Sequence, residues 1–297
     1  MSTPQTIHLI DACPWVFRAW YSLPDTITTP EGAPANALRG FANLMLQYLR
    51  QRKPTHVGMA FDESLSTSFR NEIYPAYKSR RDPAPPELVA QLRWCREFTV
   101  ALGLPTWADS RYEADDLIAS AAAPLRAQGH RVFVVTSDKD LCQLVDDGLH
   151  VIDTGRGRRF NEKGVAEHFG VRPDQIPDFL GLAGDAVDDI PGVPGVGPKS
   201  AVALLNAYAH LEEAYDDLEG VAELEVRGAK SLARKLEENR EMAFLCRKLA
   251  TLAYDAPVNT ALDSLQWRGP TPQFAPLMER LGLQSLMRGV PEPVGAG

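Results

Sequence analysis

Val132-Phe133-Val134-Val135-Thr136-Ser137-Asp138 is a short β-rich run that ends in an acid, with Asp140 two residues on. The same pattern recurs upstream. Ile7-His8-Leu9-Ile10 runs into Asp11, and Val57-Gly58-Met59-Ala60-Phe61 runs into Asp62. Helical periodicity separates these runs: Leu38, Phe41, Met45, Tyr48 and Leu49 share one face, and Leu88, Leu92, Cys95, Phe98 and Leu102 share another. A helix over about 114–127 leads into the strand at Val132, Leu104-Pro105-Thr106-Trp107 is strand-like, and His150-Val151-Ile152 adds one more strand. Strands alternating with amphipathic helices predict an α/β fold over residues 1–172, with a mostly parallel central sheet flanked by helices.

In open α/β sheets, ligands gather outside the carboxyl ends of the strands. Besides Asp11, Asp62, Asp138 and Asp140, the chain carries Glu113, Asp115 and Asp116 at a helix start, and Asp185 and Asp188 in GDAVDD. Nine acids at one sheet edge would repel one another unless cations held them, which predicts a site for two or more magnesium ions, with manganese as a substitute. Carboxylates without clustered His or Cys suit magnesium better than zinc. Paired metals clamp the attacking and leaving oxygens of an in-line phosphoryl displacement. Taken singly, each acid also has a structural explanation as a helix cap or turn residue, and Ser110-x-x-Glu113 matches a capping box.

Two further motifs stand out. Between Ser64 and Pro86 the chain mixes Phe69, Tyr74 and Tyr77 with Arg70, Lys78, Arg80 and Arg81, an excursion too long for a plain connector. If helical, Lys78 and Arg81 would share a face, able to neutralise a transferring phosphate, while Tyr77 could stack on an unpaired base and Arg70 add a DNA contact. In GVPGVGPKSA, Gly192, Gly195 and Gly197 permit a tight turn, and Pro198 suits the start of a helix. Backbone amides there, with Lys199 beside them, make a phosphate site blind to base sequence. Beyond Pro173 short helices broken by Gly and Pro replace strands, and a Pro- and Gly-rich tail over 263–297 is expected to be loosely ordered. The aromatic stripe Trp15, Phe17, Trp20 and Tyr21 reads as core.

The formal net charge of −8 does not exclude a nucleic-acid partner, because setting aside the nine acids leaves the rest of the chain close to neutral. Four scattered cysteines without a CxxC spacing, no apolar run long enough to span a membrane and no basic residue before Arg18 predict a cytoplasmic protein without zinc or disulfides, and the absence of a large unaccounted apolar patch predicts a monomer.

In order along the chain, FRNEIYPAYKSRR, YEADDLIAS, TSDKDLCQL and GDAVDDIPGVPGVGPKSA resemble the 5′-nuclease (flap endonuclease) family, above all the domain that opens bacterial DNA polymerase I, from about Ile7 to about Pro257. The resemblance implies a first metal set of Asp62, Glu113, Asp115 and Asp138 with Asp11 nearby, completed by Asp116, Asp140, Asp185 and Asp188. It makes Lys78 and Arg81 the catalytic basic pair of a helical arch over about 64–95, with Tyr77 its stacking residue. It makes Gly192 to Lys199 part of a helix–three-turn–helix (helix-hairpin-helix) region over 173–262 that grips duplex DNA and holds a potassium ion. The implied activity is that of a metal-dependent hydrolase: a 5′-3′ exonuclease and flap endonuclease acting on branched, nicked or 5′-ended DNA, with RNA-primed DNA as a further substrate, in DNA replication and repair. A polymerase would act in trans. Two positions depart from the family pattern: Ala12 stands where glycine is usual, and Asp189 where asparagine is usual. The rivals are a DNA-structure binder without cleavage and a metal-dependent ribonuclease of similar sheet.

Overall fold

The computed structural model describes residues 3–64 and 67–294. Residues 65 and 66 of the expected arch and the last three of the tail lie outside them. Six strands form one sheet: β1 Thr6–Asp11, β2 His56–Ala60, β3 Thr106–Trp107, β4 Arg131–Val135, β5 Leu149–Asp153 and β6 Arg158–Phe160, in the order β3-β2-β1-β4-β5-β6. The first five run parallel, and β6 folds back antiparallel on β5. The chain leaves β1 toward β2 and β3, then returns to place β4 on β1's other side. The strand order therefore reverses between β1 and β4, which opens a crevice beyond their carboxyl ends.

Helices cover the sheet because each run between strands carries an apolar stripe at helical spacing. Between β1 and β2 lie α1 Cys13–Ser22 and α2 Asn36–Arg52. Between β2 and β3 lie α3 Phe69–Ile73 and α4 Pro86–Ala101, and α5 Ala114–Ala127 leads into β4. After β6 come α6 Glu162–Phe169, α7 Ile176–Ala183 and α8 Pro198–Ala207, followed by further short helices. Strand alternation divides the interior in two. Ile7 and Leu9 pack with α5, Val132 and the helices beyond residue 171, whereas Ile10, Val57 and Met59 pack with α1, α2 and α4.

The end of the chain corrects one expectation. Trp267, Phe274, Met278, Leu281 and Leu283 are buried in the α1–α2–α4 core, and the Trp267 indole N–H donates to the Leu102 carbonyl at 2.8 Å. Pro and Gly punctuate this segment without loosening it, since its apolar residues complete a core. The aromatic stripe also splits: Trp15 is buried, but Tyr21 is 81% exposed.

His8 faces the same side as Ile10 and is 6% exposed, its Nδ1 hydrogen-bonded to the Tyr48 hydroxyl. Burial first, then the Arg52 charge, lowers its pKa from 6.5 to about 4. The folded state thus keeps His8 neutral while the unfolded chain protonates it near pH 6.5. Its stability contribution is full above pH 6.5 and is lost as pH falls toward 4, by up to about 3 kcal/mol. Urea midpoints at pH 7 and pH 4.5 should fall further for the wild type than for His8→Gln; equal falls would refute the assignment.

Candidate functional site

Strand endings deliver the first acids. Asp11 closes β1, Asp62 follows β2 by two residues, and Asp138 follows β4 by three, so all three project at the crevice edge. The amino end of α5 supplies the next. Glu113 is its N-cap, and the capping box pairs Glu113 with Asp116, one turn later than Ser110-x-x-Glu113 would place it. The Ala114 N–H at that helix end donates to Asp62 Oδ1 at 2.8 Å, which docks α5 against the end of β2.

Asp11, Asp62, Asp115 and Asp138 are close enough to perturb one another. Burial and then the neighbouring carboxylates push the carboxyls of Asp11 and Asp115 well above the usual range. A second group, Asp140, Asp185 and Asp188, lies around Asp138 on its other side, and Asp140 is raised for the same two reasons. Asp138 therefore joins both groups. It is exposed, and with Asp140, Asp185 and Asp188 it lines an open cleft of about 510 Å³.

Four cations already sit among these acids. Lys78 Nζ is 2.6 Å from Glu113 Oε1 and 3.9 Å from Asp188 Oδ2. Arg81 Nη2 is 2.7 Å from Asp188 Oδ1. Lys139 Nζ is 2.5 Å from Asp185 Oδ2 and 3.8 Å from Asp140 Oδ1. Arg70 binds Asp116 through both terminal nitrogens, at 2.7 and 2.8 Å, and reaches Glu113 at 3.3 Å. Burial works against ionisation of Glu113, but Lys78 and Arg70 outweigh it and hold its carboxyl below the usual range.

Two residues expected to meet DNA, Arg70 and Tyr77, and one expected as a metal ligand, Asp116, are placed differently. Arg70 is 2% exposed, donates to the carbonyls of Leu249 and Thr251, and so pins the α5 acids to the C-terminal helices; it offers no DNA surface. Tyr77 is also buried, its hydroxyl donating to Glu113 Oε2 at 3.0 Å and Asp188 Oδ2 at 3.1 Å, so its ring is not free to stack on a base in this conformation. Asp116 is fully buried on Arg70 and the Ala253 N–H and is turned away from the open cleft. Residues 77–81 form turns, with Lys78 at φ +53°, so Lys78 and Arg81 converge on Asp188 through turn geometry and not a shared helix face.

Among the described residues, no three His, Cys, Asp or Glu side chains form a closed metal-binding group, and the four cations engage Glu113, Asp116, Asp140, Asp185 and Asp188 while Asp11, Asp62, Asp115 and Asp138 carry no ion pair. The donor chemistry nonetheless fits hard divalent ions. Every perturbed group in the two sets is a carboxylate, and the buried Asp140 Oδ1 has no hydrogen-bond partner.

The glycine-rich turn packs as the sequence demands. A Cβ on Gly192 (φ +67°) would stand 2.4 Å from the Gly184 amide nitrogen, so only glycine fits there. Lys235 Nζ caps the Gly195 carbonyl at 2.7 Å, and Pro198 starts α8 with Gly197 as N-cap and Lys199 exposed beside it. Of the departures, Ala12 is fully buried and its N–H joins the Ala60 carbonyl, while Asp189 pairs with the exposed Arg80, which neutralises its extra charge beside Asp188.

Comparison with known proteins agrees with this geometry. A model of the 5′-3′ exonuclease N-terminal resolvase-like domain matches residues 6–170, and one of the 5′-3′ exonuclease C-terminal SAM fold matches residues 171–273. DNA polymerase I of Pseudomonas aeruginosa is 42% identical over 258 residues, covering 86% of this chain and 28% of that protein. DNA polymerase I of Bacillus caldotenax is 36% identical over 290 residues, covering 96% of this chain and 32% of that one. The chain thus spans about a third of the length of these relatives. Zinc-bound T5 5′-exonuclease superimposes with a TM-score of 0.68 at 19% identity, covering 83% of this chain and 89% of that one. The bacteriophage T5 D15 flap endonuclease, in a pseudo-enzyme-product complex with DNA and metal ions, gives 0.65 at 18%, covering 96% and 97%. Both show a shared fold.

Proposed function

Because the chain belongs to the 5′-3′ exonuclease family, we propose that it is a divalent-metal-dependent 5′ nuclease that hydrolyses phosphodiester bonds in branched, nicked or 5′-ended DNA. The observation that carries this reading is the convergence of acids from three strand ends and the start of α5 at the β1/β4 crevice, next to the basic turn 77–81. Two cations, magnesium first and manganese as a substitute, would be held by Asp11, Asp62, Glu113, Asp115 and Asp138 on one side and by Asp140, Asp185 and Asp188 on the other. When bound, they supply Lewis acidity and an activated water at neutral pH.

The chain's own part is positioning. Lys78 and Arg81 hold Glu113 and Asp188 in this conformation, and on binding substrate they would exchange those carboxylates for the scissile phosphate. Arg70 and Asp116 keep the start of α5 fixed while that exchange happens. The turn 192–199 would grip duplex phosphates and take potassium on its carbonyls. This divides the labour between a catalytic region over 1–172, with the arch at about 64–95, and a duplex-binding region over 173–262; the buried tail belongs to the catalytic core. A monomeric state and a cytoplasmic setting complete the proposal. No described helix is long and apolar enough to cross a membrane.

A 5′-end-labelled flap duplex with magnesium tests the reading. Cleavage near the junction is expected, abolished by EDTA, with binding that weakens steeply as salt rises. Tight flap binding without cleavage in magnesium or manganese would replace the nuclease with a DNA-structure binder, and preference for an all-RNA substrate would make it a ribonuclease.

A further inference from the structure

The sheet face that carries His8 and Phe133 is left open beside α2. The connection from β4 to β5 buries its Leu141 and Cys142 in the core on the α5 side; on the other face Val135 is buried with the α1–α2 core, while Phe133 and His150 stay half-buried. The result is a cleft of about 630 Å³ running between α1, the end of α2 and the β5–β6 hairpin.

Its walls are basic. Arg18, Arg52, Lys53, Arg158 and Arg159 line it, and among the described residues none of them ion-pairs with a carboxylate. The one acid on the wall, Asp153, is engaged by Arg156 and by the amides of Gly155 and Arg156. In a chain of net charge −8, five unpaired cations around one cavity are a concentrated positive field. Its floor is aromatic: Trp15, Tyr48 and Phe133 line it, with the Arg159 guanidinium 5.1 Å from the Phe133 ring centroid. A smaller cleft of about 300 Å³ shares Trp15, Arg18 and Thr154 with it, and Thr136, Ser137 and Arg156 with the acid-lined cleft. A groove therefore leads from the acid edge, around the hairpin, into this cavity.

We propose that the cavity is a nucleotide-binding site, its Arg52–Lys53 and Arg158–Arg159 walls taking phosphate and its aromatic floor taking the base. The volume is that of an ordinary small-ligand pocket, and a basic wall over an aromatic floor matches an anion joined to a flat apolar ring better than a bare anion. The ligand is either a free nucleotide or the terminal nucleotide of a single strand arriving along the groove. The site does not depend on the acid edge being catalytic.

Calorimetric titration of the full chain in EDTA, where the acid edge holds no divalent ion, separates these cases. The probes are 5′-dAMP, inorganic phosphate and a 5′-phosphorylated tetranucleotide, against wild type and the Arg52→Glu/Arg159→Glu variant. 5′-dAMP is expected to bind the wild type at least about tenfold more tightly than phosphate, and to lose about tenfold or more in the variant. Arg52→Lys should keep most of the affinity, and an unchanged melting temperature would show that the fold is intact. Should the double variant fail to fold, Arg52→Gln takes its place. Tighter binding of the tetranucleotide assigns the site to a strand end, and equal binding to a free nucleotide; both uphold it. Equal affinity for phosphate and 5′-dAMP, undiminished binding in the variant, or no binding by the wild type would each overturn it.

Discussion

Asp138→Ala is expected to slow flap cleavage by about a thousandfold or more while DNA binding stays within about twofold. Asp138 links the two groups directly: it perturbs Asp11 and Asp115 on one side and Asp140 and Asp188 on the other. Its removal would leave neither cation set complete. The structural cost is small, because Asp138 is exposed and its carboxylate accepts one hydrogen bond, from the Asp140 N–H at 2.9 Å. Losing that bond costs about 1 kcal/mol at most, and relief of repulsion on four neighbouring carboxyls offsets it. The melting temperature without divalent ions should therefore be unchanged or higher. Single-turnover cleavage of a labelled flap together with fluorescence anisotropy of the same DNA measures both effects. A rate near that of the wild type would remove Asp138 from the catalytic set. Binding lost in proportion to cleavage would recast it as a residue that positions DNA.

Arg70→Ala should be the most damaging substitution for stability, by about 3–5 kcal/mol, because it strands buried charge. Asp116, with no exposure, would keep its charge in a dry site without its principal partner, and Glu113, 9% exposed, would be left with Lys78 alone. The carbonyls of Leu249 and Thr251 would lose donors at the same time, loosening α5 from the C-terminal helices. Arg70→Met combined with Asp116→Leu removes both members of the pair and should recover more than half of the loss. Urea unfolding of the three proteins tests this. A single variant within about 1 kcal/mol of wild type would show that the pair contributes little. If the double variant is no more stable than Arg70→Ala, the loss comes from the carbonyl contacts and not from stranded charge.

The parts legible in the sequence share a physical origin. Val132–Val135, Ile7–Ile10 and Val57–Ala60 are strands because short apolar runs of this kind, buried on both faces, suit the interior of a parallel sheet, and the helix predicted over 114–127 is α5. The acids fall at the crevice edge because each lies within a few residues of a strand end, and a chain of fixed residue spacing cannot carry it far. The partners of those acids were not legible. Arg70 reads as one more surface cation in a basic stretch, yet its carboxylate lies 46 residues away and its carbonyl partner 179 residues away. Its place in FRNEIYPAYKSRR does not separate a buried ion pair from an exposed DNA contact.

The tail shows the same limit from the other side. Its prolines and glycines describe local backbone freedom accurately, but Trp267, Phe274 and Met278 are ordered by a core built from residues far earlier in the chain. The sequence by itself determined the strand–helix alternation, the acids at strand ends and a glycine-permitted turn over 192–197, because these follow from local backbone sterics and periodicity. The tertiary structure alone decided which acids are neutralised, which aromatics are buried and where the basic cleft opens, because charge pairing and burial depend on distances through space that residue spacing does not encode.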